Sequence, residues 1–252
     1  NSNMPKMSLL EMTQDILSSM SSDNVSSIND TYEATQVAYI LKNVYFDIIS
    51  KKKWRHLGTL DQLTSSGDID YPTYMYLPEG VQEVEWIKYD KRLTVDGSFE
   101  YLAVHYLEPK EFIDVCDARD STADTVDVVT DPSNVVLFIA NNLHPTYWTS
   151  FDDNTIIFDS YYSEVDDTLQ TSKTKVFLTL EPSFTIGDTF IPDLPAEEFP
   201  YYLAEAKSVC SYELAQEANA KEEQRSRQLK NYLHMQGWRA NGGITFRNYG
   251  RK

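Results

Sequence analysis

SLLEMTQDILSSM (residues 8–20) and DTYEATQVAYILKNVYFDIISKKK (residues 30–53) decide how this chain begins. Ser8 stands three residues before Glu11, the spacing at which serine and glutamate cap a helix start reciprocally. Leu9, Met12, Ile16, Leu17 and Met20 then recur at helical period on one face. The serine and asparagine cluster over 21–29 breaks that helix. Asp30 with Glu33 repeats the capping pattern, and Val37, Ile40, Leu41, Val44, Tyr45, Ile48 and Ile49 form a wide apolar stripe. Lys51, Lys52 and Lys53 suit the negative end of the helix dipole and mark where the second helix stops. Two amphipathic helices joined by a short polar turn are expected to pack as a helical hairpin over residues 1–54.

Beyond Arg55 the texture changes to short tyrosine-, valine- and isoleucine-rich runs punctuated by glycine, proline and aspartate, which predicts strands and turns. The expected strands are 71–77, 84–89, 99–107, 135–140, 155–158 and 175–180, with a short helix near 109–118 after the Glu108-Pro109 start. Helical period returns from Ala196 to about Gln236, where Phe199, Leu203, Ala206, Cys210, Leu214 and Ala218 trace one face. A helix of ~40 residues would run about 60 Å, more than one small domain can bury. Gly237 should end it, and Gly242-Gly243 keeps the tail extended or mobile. The expected class is α+β: an N-terminal hairpin (1–54), an acidic β-rich domain (55–194), a long helix bundled with the hairpin (195–236) and an extended basic arm (237–252).

Charge is unevenly spread along the 252 residues, whose net is −17. Residues 108–193 hold 17 acidic and 4 basic side chains. After Glu223 there is no acidic residue, yet Arg225, Arg227, Lys230, Arg239, Arg247, Arg251 and Lys252 come in that final stretch. So acidic a chain is repelled by DNA phosphates in general, but it suits a surface along which DNA passes without sticking. Cys116 and Cys210, 94 residues apart with no metal-type spacing, read as reduced thiols. No apolar run approaches the ~18 residues of a membrane span. The start NSNMPKMSLLEM lacks a signal peptide's apolar stretch, so synthesis in a cytoplasm is expected.

Catalytic signatures do not emerge. The glycines form no phosphate loop, no Gly-x-Ser-x-Gly elbow occurs, and His56, His105, His144 and His234 show no pair three or four apart. Asp152-Asp153-Asn154 and Asp166-Asp167 do not continue into a calcium-binding loop. Carboxylates for glycoside cleavage are abundant, but no pair stands out. Tyr147-Trp148, Tyr161-Tyr162 and Tyr201-Tyr202 are sugar-stacking candidates, though core and interface packing accounts for such rings more simply. The basic arm reads as a disordered tail, a nucleic-acid contact or a docking strap. Trp238, Phe246 and Tyr249 interleaved with arginines favour the strap, since phosphates need only charge.

Three stretches carry a resemblance to a known family: EMTQDILSSMSSDNVSSINDTYEATQVAYILKNVYFDIISKKKWRHL (11–57), YLPEGVQEVEWIKYD (76–90) and IPDLPAEEFPYYLAEAKSVCSYELAQEANAKEEQRSRQLKNYLHMQGWR (191–239). Together, about half the chain resembles the head-to-tail adaptors of short-tailed bacteriophages, the tail tubular protein A type. The resemblance rests on order and texture, with no catalytic motif among the three, and the middle of this chain is longer and more acidic than in the smallest members. It implies a non-enzymatic virion protein without cofactor or metal, binding the portal as a twelve-membered ring in the neck. It further implies partners in the tail nozzle protein, in copies of itself and in duplex DNA that passes without tight binding, and no membrane. On that reading Arg225, Arg227, Lys230, Trp238, Arg239, Phe246, Arg247, Tyr249 and Arg251 dock on the portal. Asp152, Asp153, Asp166 and Asp167 are then candidates for an acidic channel surface. The alternative is a carbohydrate-binding or glycan-cleaving module of a phage tail; a nucleic-acid binder using the arm is disfavoured by net charge.

Overall fold

Amphipathic stripes and alternating runs find their elements in the computed structural model, which describes residues 5–214. Helices α1 (Leu9–Ser19) and α2 (Tyr32–Ser50) come first, followed by strands β1 (Gly58–Asp61), β2 (Thr64–Ser65), β3 (Tyr74–Tyr76), β4 (Val81–Asp90) and β5 (Tyr101–Tyr106). Helix α3 (Pro109–Asp117) precedes β6 (Val126–Thr130), β7 (Val136–Ala140), β8 (Tyr147–Thr149), β9 (Thr155–Phe158) and β10 (Thr174–Leu180). Helix α4 (Phe199–Leu214) closes the described order. The class is α+β. The described residues fall into two compact units, one drawn from 5–53 and 183–214, the other Trp54–Pro182.

In the first unit α1, α2 and α4 pack on one another. The Ser8–Glu11 capping box forms: Glu11 N donates to Ser8 Oγ at 3.2 Å and Ser8 N donates to Glu11 Oε2 at 2.8 Å. The amides of Leu9 and Leu10 donate to the carbonyls of Phe190 (2.7 Å) and Asp188 (3.2 Å), so a returning loop satisfies groups the helix cannot. The whole α2 stripe, Val37, Ile40, Leu41, Val44, Tyr45, Ile48 and Ile49, is buried. Its cap lies one residue later than the sequence predicts. Thr31, not Asp30, caps Ala34 N, because Asp30 is occupied in folding the turn, accepting from Ser26 N and Ser27 N. On α4 the buried face is Phe199, Tyr202, Ala206 and Cys210; Tyr202 takes the place expected of Leu203, and its hydroxyl donates to Leu41 O at 2.6 Å. The remainder of the helix expected to Gln236 lies outside the described residues.

The second unit is built on an eight-stranded sheet in the order β1-β10-β4-β5-β8-β9-β3-β2, antiparallel throughout except for the parallel β5–β8 pair. Strands β6 and β7 form a separate antiparallel pair. Alternation along β4 and β10 buries Ile87, Tyr89, Val176 and Leu178 in a core that also takes Leu63, Met75, Phe112 and Phe158. The opposite face carries Leu60, Phe177 and Trp86 side by side across β1, β10 and β4. Entry into β4 turns at Gly80, whose φ of +73° is a conformation that side-chain-bearing residues rarely adopt. A buried Arg119–Asp159 pair at 2.7 Å ties the segment after α3 to the strands: Arg119 also donates to Phe138 O, and Asp159 Oδ1 accepts from Thr146 N and Tyr147 N. Strands β1, β2, β6 and β8 add to those that the sequence predicts.

Candidate interaction surfaces

Two features of the second unit leave large apolar side chains open to solvent, and both belong to the β4–β5 ribbon. The first is its connecting tip, residues 91–100. Asp90 is buried at the end of β4, with its carboxylate accepting from Arg92 N, Glu100 N and Arg92 Nε, the last at 2.7 Å. Burial alone would raise this acid's pKa, but the two backbone amides and the Arg92 guanidinium outweigh it and hold the carboxyl below its usual range. Held this way, the guanidinium donates to Gly97 O at 3.0 Å and lies 3.8 Å from the centroid of the Phe99 ring. Lys91 pairs with Glu100 at 2.7 Å, and Phe99 stacks on Tyr101 with 9° between ring planes.

The tip is thus tied down from inside, yet it leaves three large apolar side chains mostly in solvent. Leu93 is 57% exposed, Phe99 71% and Val95 92%. Strand β5 starts at Tyr101, not at the expected residue 99, because Phe99 is held in the connection under Arg92. Asp96-Gly97 announces a turn in the sequence, and the three large apolar residues around it are the signal that this turn is more than a connector.

The second feature is an open groove of about 760 Å³ at the other end of the same strands. Leu77, Val84, Trp86, Tyr106, Trp148 and Phe151 supply apolar lining, and Glu83, Glu85, Asp152, Asp153 and Glu181 supply its acidic side chains. It carries no lysine or arginine among its described lining residues. Trp86 is held by stacking on Phe177, 6.0 Å between ring centroids.

Of the four acidic candidates, Asp152 and Asp153 line this groove, whereas Asp166 lines a different and much smaller cavity with Tyr89, His144 and Lys173. Neither cavity gathers both pairs. Asp152 also closes the β8–β9 turn, accepting from Asn154 N and Thr155 N, and Asp166 is ion-paired to Lys173. Asp153 and Asp167 are both exposed. The portal-docking candidates Arg225, Arg227, Lys230, Trp238, Arg239, Phe246, Arg247, Tyr249 and Arg251 all lie outside the described residues.

Each aromatic doublet buries one ring: Tyr161, Tyr202 and Trp148 are in cores, and the Tyr161 hydroxyl donates to Asp127. Both cysteines are free and buried, and burial pushes each thiol up to about 12. Among the described residues, no group of three or more His, Cys, Asp or Glu is placed to hold a metal ion, and no helix is long and apolar enough to cross a membrane. A scan against protein-family models and a search of the curated proteins both returned no match.

Proposed function

We propose that the chain is a non-enzymatic head-to-tail adaptor of a short-tailed bacteriophage, a neck protein that binds the portal as a ring of about twelve copies. The observation that supports this reading is the order of parts. Two amphipathic helices, a β-rich middle and a third helix precede a stretch of seven basic residues without an acidic one. In such a ring the three helices form a bundle with an N-terminal hairpin, and the basic arm over 237–252 straps onto the portal. The acidic middle repels duplex phosphates, so DNA slides during ejection. Many copies make modest contacts sufficient through avidity. Localisation in the virion and a nozzle partner belong to the same reading.

The glycan alternative draws less support, because one ring of every aromatic doublet is already used in packing. Mass photometry of this chain mixed with the portal of its own genome tests the adaptor reading. A complex heavier than the portal by about twelve copies is expected, lost on deletion of residues 237–252 with folding intact. No complex at low salt with an intact portal refutes the reading, and normal attachment by the truncated chain refutes the strap.

A further inference from the structure

We infer that the groove is a gap in the sheet that takes an added strand, and that its occupant is residues 244–249 of the same chain, ITFRNY. Those six residues lie outside the described ones. The inference goes beyond the adaptor reading and concerns the chain on its own.

The groove lies where the sheet parts. Strand β4 pairs with β5 from Asp90 back to Ile87, where the pairing ends at Val104. The last two residues of β5, His105 and Tyr106, pair instead with Tyr147 and Trp148 of β8. Strand β4 continues to Val81 against β10, with a register shift between Phe177 and Leu178 of the kind that bends a strand away from its neighbour. Residues 81–87 line one wall of the groove, and residues 103–106 with Trp148 line the other. Among the described residues no strand occupies the space between them. A strand with no strand along one side is a template for a further extended segment.

Charge and pattern name the occupant. The lining includes the exposed carboxylates of Asp153 and Glu181 and has no lysine or arginine among its described residues, which favours a cationic segment and repels a nucleic acid. The stretch after Glu223 supplies seven basic residues and no acidic one. Within it, residues 244–249 gather β-branched and aromatic side chains between Gly243 and Gly250, which is a strand signal. In an added strand Ile244 and Phe246 share one face, and Thr245 and Arg247 share the other. The first pair suits the apolar lining of Val84, Trp86, Tyr106 and Trp148, and Arg247 suits the carboxylates. Length agrees, since six extended residues span about 20 Å, the same as β4 from Val81 to Trp86. Residues 215–243 provide up to about 100 Å of extended chain, so reach permits return to the same copy.

A tethered occupant needs little contact area. At an effective concentration of about 1 mM, a segment is docked tenfold more often than released when its free-peptide Kd is about 0.1 mM. On the adaptor reading, the portal then draws the strap out of the groove.

Hydrogen exchange on the full chain without portal is the test, so that the adaptor reading stands or falls separately. The amides of 244–249 should exchange about tenfold more slowly than in a free peptide of that sequence, at every protein concentration. Phe246→Asp, and separately Asp153→Lys with Glu181→Lys, should each abolish this protection, while α2 and β10 keep theirs and show the fold intact. The Phe246→Asp chain should bind a synthetic peptide of residues 240–252 with a Kd of about 0.1 mM, more weakly at high salt. Exchange at the free-peptide rate overturns the inference, and so does protection that survives both changes. Protection that grows with concentration gives the groove to the arm of a neighbouring copy and overturns return within one chain. A scrambled peptide of equal charge that binds as tightly overturns strand addition and leaves charge alone.

Discussion

Replacing Arg92 with alanine removes the one side chain that both neutralises a buried carboxylate and shapes the tip. Asp90 is 1% exposed and keeps two backbone donors, Arg92 N and Glu100 N, after the guanidinium is gone. Stripping a buried ion of its partner costs about 3–5 kcal/mol when nothing else solvates it. The two remaining amides place Arg92→Ala lower, at about 2–3 kcal/mol, to which a lost donor to Gly97 O adds about 1 kcal/mol. The contact with Phe99 is at an exposed site and is worth about 0.5–1 kcal/mol.

Urea unfolding followed by tryptophan emission is a suitable assay, because three of the four tryptophans, Trp54, Trp86 and Trp148, lie in the second unit, and Trp238→Phe removes the fourth. The pH dependence gives a second readout. Asp90 has a depressed folded pKa, so its stabilisation is present above the unfolded value of about 3.9 and is lost as pH falls through the folded value. Acid titration should therefore destabilise the parent chain more than Arg92→Ala. A variant within about 0.5 kcal/mol of the parent, the scatter for surface changes, with an unchanged acid limb would falsify the assignment of Arg92 as the tip's organiser.

Other substitutions probe the frame that holds these surfaces. Arg119→Ala should cost about 2–3 kcal/mol in urea unfolding, since Asp159 loses its guanidinium partner but keeps the amides of Thr146 and Tyr147; a loss below about 1 kcal/mol removes the pair from the frame. Asp188→Ala should cost about 1–2 kcal/mol in the first unit, because its carboxylate accepts from Ile28 N at 2.8 Å and from Ser27 Oγ at 3.2 Å; circular dichroism melts read the effect, and an unchanged melt argues against that tie. Cys116 and Cys210, with thiols pushed up to about 12, should resist a disulfide reagent at pH ~8 and both react in urea. A thiol that reacts at once in the folded chain contradicts the burial.

The helices are legible because a buried stripe at 3.6 spacing, as from Val37 to Ile49, has few competing explanations. So is the 155–158 strand, a β-branched and aromatic run that matches β9 residue for residue. The β8 strand cannot be read from three residues, and β6 lies in a segment whose aspartates, from Asp124 to Asp131, mask its valines. Capping fails at Asp30 for a related reason: a carboxylate can cap a helix or close the turn before it, and only the folded turn reveals which amides are nearer. The tip and groove are illegible in principle. Exposure of Val95 and the gathering of Trp86, Tyr106 and Trp148 depend on pairings such as β5 with β8, between residues about forty positions apart.

Placing both features on one ribbon has a mechanical consequence. Strand β4 is clamped between β10 and β5, and the pairing runs without interruption from Ile87 to Tyr89 on both sides. Beyond Ile87, where β4 lines the groove, the pairing with β5 ends and the pairing with β10 shifts register between Phe177 and Leu178, so the two-sided ladder stiffens the tip's end of the strand and not the groove's.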